Sequence, residues 1–212
     1  MNEHGELIIF GAGGHAAVVA DAAVAMGFVL VGVVDAMRPI ADGRPPFGGV
    51  PWLGSPEDPN PSLEELLARG ARIHAAIGDA GIRRRWLGAH LTHAASVVHP
   101  TAVVSPSATI GEGVFIGPRA VVNARSVIGA GTIINTAAIL EHDARTGEYC
   151  HLAPGAIVLG NAGIGDRVLV GSNATILPAI TVGHHSTVGA GSVVTGHLSD
   201  GARAFGNPAR NR

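Results

Sequence analysis

The sequence has a single cysteine, Cys150, and few aromatic residues, which make up 4% of the chain. A lone cysteine excludes an internal disulfide framework. The formal net charge is −2, and the only basic run is Arg83–Arg85. Three arginines are too few for a nucleic-acid footprint, and a solvated helix face explains them equally well. We therefore expect no nucleic-acid partner.

A positively charged start, which is typical of a signal peptide, is also missing. The nearly continuous apolar stretch 16–34 has the length of a membrane span, but Asp21, Gly27 and Gly32 interrupt it. A buried helix, a turn at Gly27 and a buried strand explain this stretch better. The sequence therefore predicts a soluble, cytoplasmic protein without membrane insertion.

A period of six residues runs from Val98 to Thr195. Every sixth residue from Val98 to Val194 is aliphatic except Thr146, and a mostly small residue, such as Cys150, follows four positions later. This period fits neither an α-helix nor one flat strand, and it predicts a β-solenoid with three short faces per coil. We expect the aliphatic side chains to fill the interior and the frequent glycines to permit the corners.

The N-terminal part alternates apolar strands with helical patterns, as a nucleotide-binding α/β unit does. The predicted elements are a strand at Leu7–Phe10, a helix over 16–26, strands at Val29–Val34 and Ile73–Ile77, and a helix over 82–91. Between them we expect Pro- and Gly-rich loops over 37–61, with a short strand before Pro51. Ser62–Glu65 resembles a capping box that opens a helix ending near Gly70.

These patterns predict two domains, residues 1–95 and residues 96–212. The second ends in a tail, Asp200–Arg212, that breaks the period. About 95 residues are too few for a dinucleotide fold with two mononucleotide halves. A mononucleotide or a nucleotide-linked sugar is the ligand whose size fits.

The turn Gly11–His15 lies between the first strand and the first helix. Gly13 and Gly14 would let a phosphate approach the backbone N–H groups at the helix start, although a merely tight turn is the alternative. Asp35, at the end of the second strand, could accept from a ribose or sugar hydroxyl, or simply cap the strand. Gly78 follows the third strand and would meet the same crevice.

A polar triplet, Glu141–Asp143, interrupts the small and apolar residues of the solenoid. His142 is a candidate general base, because imidazole titrates near neutral pH. Asp143 could orient it and raise its basicity. The alternative is a solvated corner without a catalytic role.

The eleven histidines raise the question of a zinc site like that of the γ-class carbonic anhydrases. In the solenoid the candidates are His142, His151, His184 and His185. His142 and His151 are half a coil apart and therefore lie on different faces, and neither is a whole number of coils from His184. A catalytic zinc needs three converging protein ligands, so we predict no metal.

Several motifs, taken in order, resemble the sialic acid O-acetyltransferase (NeuD/PglD-type) family of hexapeptide-repeat sugar acetyltransferases. They are Gly-Ala-Gly-Gly-His15, Ile-Gly78-Asp before the arginine run, Leu-Glu-His142-Asp143, Cys-His151-Leu-Ala-Pro-Gly and Gly206-Asn-Pro-Ala-Arg. That family includes acetyltransferases of nucleotide-linked 4-amino sugars in the bacillosamine and perosamine pathways. The resemblance implies a small Rossmann-like α/β domain, a left-handed parallel β-helix, a homotrimer and acetyl-CoA held in grooves between subunits.

The resemblance also implies roles for individual residues. Gly13, Gly14 and His15 would hold the nucleotide-linked sugar, with Asp35 and Gly78 lining the same site. In the β-helix, the implied roles are His142 as base, Asp143 as its orienting partner, Gly160 as backbone oxyanion donor, His151 beside the thioester, and Ser172 and Ala190 along the CoA groove. The partner of the histidine is often Glu in the family, so the shorter Asp143 leaves that contact to be tested by the structure.

The implied reaction is direct acetyl transfer from acetyl-CoA to a 4-amino group of a UDP- or GDP-linked sugar, as part of lipopolysaccharide or glycan biosynthesis. Cys150 is not expected to act as a nucleophile, because its repeat position points inward. An O-acetyltransferase acting on a sugar such as sialic acid, and a non-catalytic nucleotide-sugar-binding trimer, are the alternatives. The glycine-rich turn favours a nucleotide-linked acceptor, and the intact Glu141–Asp143 triplet favours an enzyme.

Overall fold

The structure is a computed structural model that describes residues 4–36 and 46–212. The chain divides into two compact units, Met1–Pro100 and Thr101–Arg212. The first unit is a small α/β fold, and the second is a solenoid of two-residue strands. Across the described residues, none of the helices combines the length and the hydropathy that crossing a bilayer requires.

The first unit is built on a parallel sheet of three strands in the order β2-β1-β3. Its central strand is buried on both faces from Leu7 to Phe10, as a covered parallel sheet requires. The elements of this unit are β1 (Glu6–Phe10), α1 (Gly14–Met26), β2 (Val29–Val34), a 3-10 helix (Pro46–Gly49), α2 (Ser62–Ala68), β3 (Arg72–Ala75), α3 (Ala80–Gly88), a second 3-10 helix (Leu91–His93) and β4 (Val97–Val98).

Helix α1 begins earlier than its apolar pattern predicts, at Gly14 rather than at residue 16. Gly13 is extended and stands at the N-cap. The helix ends as predicted, because Gly27 has a φ of 104° and its N–H donates to the carbonyls of Ala23 and Val24. A glycine in this left-handed conformation is the usual way to end a helix.

The capping box predicted at Ser62 is wrong. Pro61 already has helical backbone angles and occupies the N-cap without a side-chain cap, so Ser62 lies inside α2. The side chain of Asn60 accepts from the Ser62 N–H instead, at 3.0 Å. Of the predicted loop 37–61, residues 37–45 lie outside the described residues, and residues 46–49, before Pro51, form a 3-10 helix rather than a strand.

Arg83 also differs from its prediction as part of a solvated helix face. Its side chain is buried, whereas Arg84 and Arg85 are exposed. The Arg83 guanidinium donates to the carbonyl oxygens of Ile77, at 2.6 Å, and Gly78, at 2.9 Å. A buried guanidinium needs such acceptors, and these two belong to the segment that follows β3.

The second unit repeats a two-residue strand every six residues and stacks the strands into three parallel faces. The first face contains β5 (Val103–Val104), β8 (Val121–Val122), β11 (Ile139–Leu140), β14 (Ile157–Val158), β17 (Thr175–Ile176) and β20 (Val193–Val194). The second contains β6 (Thr109–Ile110), β9 (Val127–Ile128), β12 (Arg145–Thr146), β15 (Gly163–Ile164) and β18 (Thr181–Val182). The third contains β7 (Phe115–Ile116), β10 (Ile133–Ile134), β13 (His151–Leu152), β16 (Leu169–Val170), β19 (Thr187–Val188), β21 (Arg203–Phe205) and the antiparallel β22 (Arg210–Asn211).

The aliphatic positions of the six-residue period fill the solenoid interior. Every one of them from Ile116 to Val194 is buried, including the exception Thr146, whereas Val104 and Ile110 at the start are only half-buried. Cys150 is fully buried among them. The predicted architecture, a small α/β unit followed by a parallel β-helix of hexapeptide repeats, is confirmed.

The predicted role of the glycines at the corners is wrong. The glycines that follow the aliphatic residues do not have a positive φ; a side chain on Gly129 would instead meet the Gly147 carbonyl oxygen of the next coil at 2.3 Å. They allow successive coils to stack closely. The left-handed residue of each corner comes two positions later, and it is often not glycine, as at Arg125, Asp143 and Arg167.

Candidate active site

His142 and Asp143 lie at the corner between the first and second faces of the β-helix, after β11 and before β12. Asp143 has a φ of 60°, and its N–H donates to the carbonyl of Ala124 in the preceding coil. The imidazole of His142 is about half exposed, and its Nδ1 lies 2.9 Å from Oδ2 of Asp143. Because a carboxylate only accepts, Nδ1 carries a proton, and in the neutral imidazole the lone pair is therefore on Nε2.

Asp143 is itself held by Arg125, one coil earlier. The guanidinium donates from Nε to Oδ1 at 2.7 Å and from a terminal nitrogen to Oδ2 at 2.8 Å. These hydrogen bonds from Arg125, and then the one from His142, keep the pKa of the Asp143 carboxyl well below its ordinary value. The carboxylate therefore stays ionised throughout the neutral range, as an orienting partner must.

Gly160 lies one coil after His142 at the same corner. A side chain built on Gly160 would come within 2.7 Å of Cε1 and 2.8 Å of Nε2 of the His142 ring, so the imidazole packs directly on the glycine Cα. The carbonyl of His142 accepts from the N–H of Asn161, which fixes the two coils to each other. The structure therefore brings together the predicted residues His142, Asp143 and Gly160.

His151 stands at the start of β13, on the third face. Its Nε2 lies 3.0 Å from the side-chain nitrogen of Asn135, and the Asn135 oxygen accepts from the N–H of Thr136. Since the amide nitrogen donates, Nε2 of His151 is the acceptor and the ring is neutral in this arrangement. His142 and His151 are thus on different faces of one chain, as their spacing predicts.

Ser172 and Ala190 follow β16 and β19 at the corner between the third and first faces. They occupy equivalent places in successive coils, because the Ser172 carbonyl accepts from the N–H of Gly191 at 2.8 Å. The coils approach closely here, since a side chain on Gly171 would meet the Ala190 nitrogen at 2.5 Å. His151 begins the face that ends at this corner, so the three predicted CoA contacts lie on one side of the β-helix.

In the first unit, a cavity of about 420 Å³ opens where the strands β1, β2 and β3 end. Every residue predicted to bind the sugar nucleotide lines it, together with Trp86: Gly13, Gly14, His15, Asp35 and Gly78. The site thus lies outside the carboxyl ends of parallel strands, where α/β folds bind their ligands.

The glycines of the turn after β1 have different roles. Gly11 has a φ of 110°, and a side chain there would come within 2.9 Å of the Ala76 carbonyl oxygen, so the fold itself requires this glycine. Gly13 and Gly14 meet nothing within 4 Å, and both line the cavity. Their free space, and the N–H groups of the first turn of α1, suit a phosphate.

Asp35 follows β2 and faces the glycine-rich turn. Its Oδ2 accepts from the N–H of Ala12 at 2.8 Å. This contact ties Asp35 to the turn, as the capping alternative expects. Asp35 also lines the cavity, so its role towards a ligand stays a prediction.

His15 stands in the first turn of α1. Burial, and to a lesser degree the charge of Arg83, lower the pKa of His15 to about 4. The imidazole is therefore neutral at pH 7 and can recognise a ligand only as a hydrogen-bonding group. Burial also lowers the pKa of His74 to about 4; its Nδ1 lies 2.9 Å from the Ala95 carbonyl oxygen.

Within the described residues, no group of three or more His, Cys, Asp or Glu side chains is arranged to hold a metal ion. His184 contacts Asp166, with 3.2 Å between Nδ1 and Oδ2, at the corner between the second and third faces. It also lines an open groove of about 480 Å³ on the second face, beside Arg145, Gly163 and Thr181. This groove is larger than the cavity of the first unit, but none of the predicted site residues lines it.

Sequence reasoning missed three residues that shape these sites. Arg125 precedes Asp143 by eighteen residues, which is one whole coil, so the period itself carried the signal. Asn135 beside His151 gave no such signal, because its spacing is sixteen residues. Arg83 shares its helix face with Trp86 and Leu87, at the i, i+3 and i+4 spacing of a buried face.

Two family models match the chain. The PglD N-terminal domain matches residues 6–89, and the bacterial transferase hexapeptide model, with six repeats, matches residues 161–196. The solved structure of PerB from Caulobacter crescentus, in complex with CoA and GDP-perosamine, is 37% identical, covers 99% of this chain and 98% of that chain, and has a TM-score of 0.88. The chain belongs to the NeuD/PglD-type family of hexapeptide-repeat sugar acetyltransferases.

Two further structures of this family show the same full-length similarity. A histidine-to-asparagine variant of perosamine N-acetyltransferase from Caulobacter crescentus is 37% identical, covers 99% and 97% of the two chains, and has a TM-score of 0.88. The acetyltransferase domain of PglB from Neisseria gonorrhoeae, in complex with acetyl coenzyme A, is 35% identical, covers 98% of each chain and has a TM-score of 0.86. A comparison with curated proteins found no match.

The ranges of the two family models can be compared with the positions of the predicted site residues. The cavity of the first unit falls inside the segment that matches the PglD N-terminal domain. Ser172 and Ala190 fall inside the matched hexapeptide repeats, whereas His142, Asp143 and His151 come before them in the same solenoid.

Proposed function

We propose that the chain is an acetyl-CoA-dependent N-acetyltransferase that acts on the amino group of a nucleotide-linked amino sugar. The observation that carries this proposal is the full-length similarity to PerB, a protein crystallised with both CoA and GDP-perosamine. The PglB acetyltransferase domain, similar over the same length, was crystallised with acetyl coenzyme A. GDP-perosamine is therefore the first acceptor to test.

The cavity of the first unit is the place for the nucleotide-linked sugar in this proposal. The first turn of α1, reached past Gly13 and Gly14, offers N–H groups to a diphosphate. Asp35 lines the cavity and would accept from a hydroxyl or an N–H of the ligand, and His15 contributes a neutral imidazole. Gly78 lines the same cavity.

The chemical step is direct transfer between two bound substrates. The neutral amine of the sugar attacks the thioester carbonyl carbon, a C–N bond forms, and the C–S bond to CoA then breaks. Nε2 of His142 takes the proton that the amine loses, because Nδ1–H is held by Asp143. The protonated His142 then gives this proton to the leaving thiolate, directly or through water, which yields free CoA and restores the neutral imidazole. Cys150 takes no part, since it is buried in the solenoid interior.

A tetrahedral intermediate places negative charge on the former carbonyl oxygen, and a backbone N–H aimed at that oxygen stabilises it. Gly160 is the proposed donor. It lies directly under the His142 ring and has no side chain of its own. A base and an oxyanion donor within van der Waals contact of each other suit a single reacting carbon.

The proposed CoA contacts, His151, Ser172 and Ala190, do not lie on the corner that carries His142. We propose that the two sets meet across a subunit boundary in a homotrimer. The first face of the β-helix separates the two corners, and its outward positions include Val103, Val121, Ile139 and Ile157. Closed cyclic symmetry would cover such an apolar face and complete the site with a neighbouring copy.

The test is an assay of CoA release with purified protein, acetyl-CoA and a panel of GDP-, UDP- and dTDP-linked 4-amino sugars. We expect transfer to at least one amine and none to the matched sugars that carry a hydroxyl at that carbon. Transfer to the hydroxyl sugars alone would identify an O-acetyltransferase. Binding of sugar nucleotides without any CoA release would identify a non-catalytic binding protein.

We also propose a cytoplasmic location. Both substrates are highly charged and cannot cross a bilayer unaided, which supports this location.

A further inference from the structure

The ion pair between Arg125 and Asp143 joins two successive coils at the corner that carries His142. Both residues occupy the left-handed position of the corner, with φ values of 59° and 60°. Stacked in this way, their side chains meet as a fork, through two hydrogen bonds of 2.7 and 2.8 Å. A two-point contact of this kind fixes the plane of the carboxylate as well as its position.

Asp143 Oδ2 is shared between two donors. It accepts from the terminal nitrogen of Arg125 and contacts Nδ1 of His142 at 2.9 Å. Arg125 therefore fixes the orientation of the Asp143 carboxylate, and the carboxylate in turn fixes the orientation of the His142 imidazole. Gly160 leaves the ring room on its remaining face.

Arg125 supplies the positive charge at a corner that carries two carboxylates. Among the described residues, the charged side chains in contact with the His142–Asp143 pair are Arg125 and Glu141, whose Oε2 accepts from the backbone N–H of His142 at 3.2 Å. Removing Arg125 would leave two carboxylates and no cation among these contacts.

We propose that Arg125 is a positioning residue for the His142 base, which it holds through Asp143. This inference rests on the proposed acetyl transfer. An exposed ion pair contributes little to stability, so stability alone does not explain the two-point contact between Arg125 and Asp143. Orientation of the base explains it. Lysine would keep the charge but lose the fork.

The test compares the pH dependence of kcat/KM in three variants. For Arg125→Met we expect turnover to fall about 10- to 100-fold, because the base is less well oriented. We also expect the midpoint of the profile to rise by about half a pH unit, because a cation near the imidazole is lost. Asp143→Asn should shift the midpoint in the opposite direction. Arg125→Lys should lose turnover with the midpoint unchanged. The ionisation of the acceptor amine is common to all variants, so differences between them report the enzyme.

The matched control is Arg167→Met. Arg167 occupies the same left-handed corner position, with a φ of 55°, and contacts His185 one coil later, at a corner without proposed site residues. This variant should behave as the wild-type protein does. If Arg125→Met does not fold, Arg125→Lys and Arg125→Gln carry the comparison.

Two results would overturn the inference. One is an Arg125→Met profile that superimposes on that of the wild-type protein. The other is a loss from Arg125→Met that is equally large in an Asp143→Asn background, since a residue acting through Asp143 cannot act when that carboxylate is gone. If His142→Asn retains full turnover, the assignment of the base falls together with this inference. If His142→Asn is impaired while the Arg125 variants are normal, only the role of Arg125 is wrong.

Discussion

The imidazole of His142 packs on the Cα of Gly160 so closely that a methyl group at position 160 would stand 2.7 Å from its Cε1. Gly160 does not have a positive φ, so its backbone would accept alanine without strain. A substitution at this position should therefore displace the imidazole of His142 without destabilising the fold.

We predict that Gly160→Ala lowers kcat by about 100-fold, because the methyl group displaces the imidazole while the backbone N–H remains. Thermal unfolding should change little. The control is Gly163→Ala, whose methyl group would meet only Thr181, at an ordinary 3.7 Å. Equal losses of activity in the two variants would show that the solenoid, and not the histidine, is disturbed.

The two histidines of the β-helix should differ in kinetics. General-base assistance is typically worth about 10²–10⁴-fold, so His142→Ala or His142→Asn should lower kcat by about that factor while both substrates still bind. The loss should shrink at high pH, where the amine is already deprotonated. His151→Ala should cost less and should partly raise the KM for acetyl-CoA. Near-normal turnover of His142→Ala at pH 7 beside an inactive His151→Ala would assign the base to His151.

Gly13 tests the cavity of the first unit. A side chain there meets no protein atom within 4 Å and would occupy the space that we propose for a phosphate. We predict that Gly13→Val raises the KM for the sugar nucleotide by at least about tenfold with little change for acetyl-CoA. Gly88→Val is the control, since Gly88 is exposed in α3 with equally free surroundings. Parallel increases in both Michaelis constants would indicate damage to the fold.

Acid should destabilise the first unit through its buried histidines. The pKa of His74 is about 4 when folded against 6.5 as its ordinary value, so the unfolded chain binds more protons between these two values. Stability is therefore complete above about pH 6.5 and falls as the pH decreases towards 4. From pH 7 to pH 5 the loss from His74 is about 2 kcal/mol.

The measurement is the free energy of unfolding by urea at pH 7 and pH 5. His74→Gln should reduce the difference between the two values, because the glutamine side chain has no proton to gain. His4→Gln, at an exposed site of the same unit, should leave the difference as it is in the wild-type protein. An unchanged pH dependence in His74→Gln would contradict the prediction.

The proposed subunit boundary predicts a particle of about 64 kDa in solution, three times the 21.4 kDa of one chain. Ile139→Asp and Ile157→Asp would place charge on the outward side of the first face and should shift light scattering towards the monomer. Activity should fall with assembly, because His142 and the CoA contacts then no longer meet. A wild-type monomer at micromolar concentration, or active monomeric variants, would refute a shared site.

The sequence predicted those features that repeat or that follow the course of the chain. The aliphatic period predicted the interior of the β-helix because every coil packs its side chains in the same way. The positions of this period are indeed buried from Ile116 to Val194. The strand–turn–helix order likewise placed Gly13, Asp35 and Gly78 around one cavity. The resemblance supplied the roles, and the structure supplied the contact of 2.9 Å that Asp143, although shorter than Glu, makes with His142.

Contacts between neighbouring coils were harder to foresee. The role of Gly129 depends on a carbonyl of the next coil, eighteen residues away, and not on its own backbone angles.

Two features of the first unit were also not predicted. The burial of Arg83 depends on two carbonyl acceptors that become available only when β3 ends at Ala75. The capping box failed because Pro61 had already begun the helical turn. The roles of Gly129 and Arg83 are thus decided by backbone atoms of other segments, whereas Pro61 is adjacent to Ser62 and could have been taken into account.

The ion pair between Arg125 and Asp143 also requires a fixed number of residues between the two partners, because they meet only when they are one coil of eighteen residues apart. An inserted or deleted hexapeptide in this interval would preserve the aliphatic period, yet it would carry everything after it to the next face, a third of a turn away. His142 and Gly160 would both move to the next corner and keep their contact, but Arg125 would stay at its original corner. Only a whole coil of eighteen residues returns the following residues to the same edge, and even then a new corner would separate the two partners. Coils added or removed after Asn161 or before Arg125 would therefore leave this corner intact, whereas the single coil between Arg125 and Asp143 admits no change of length.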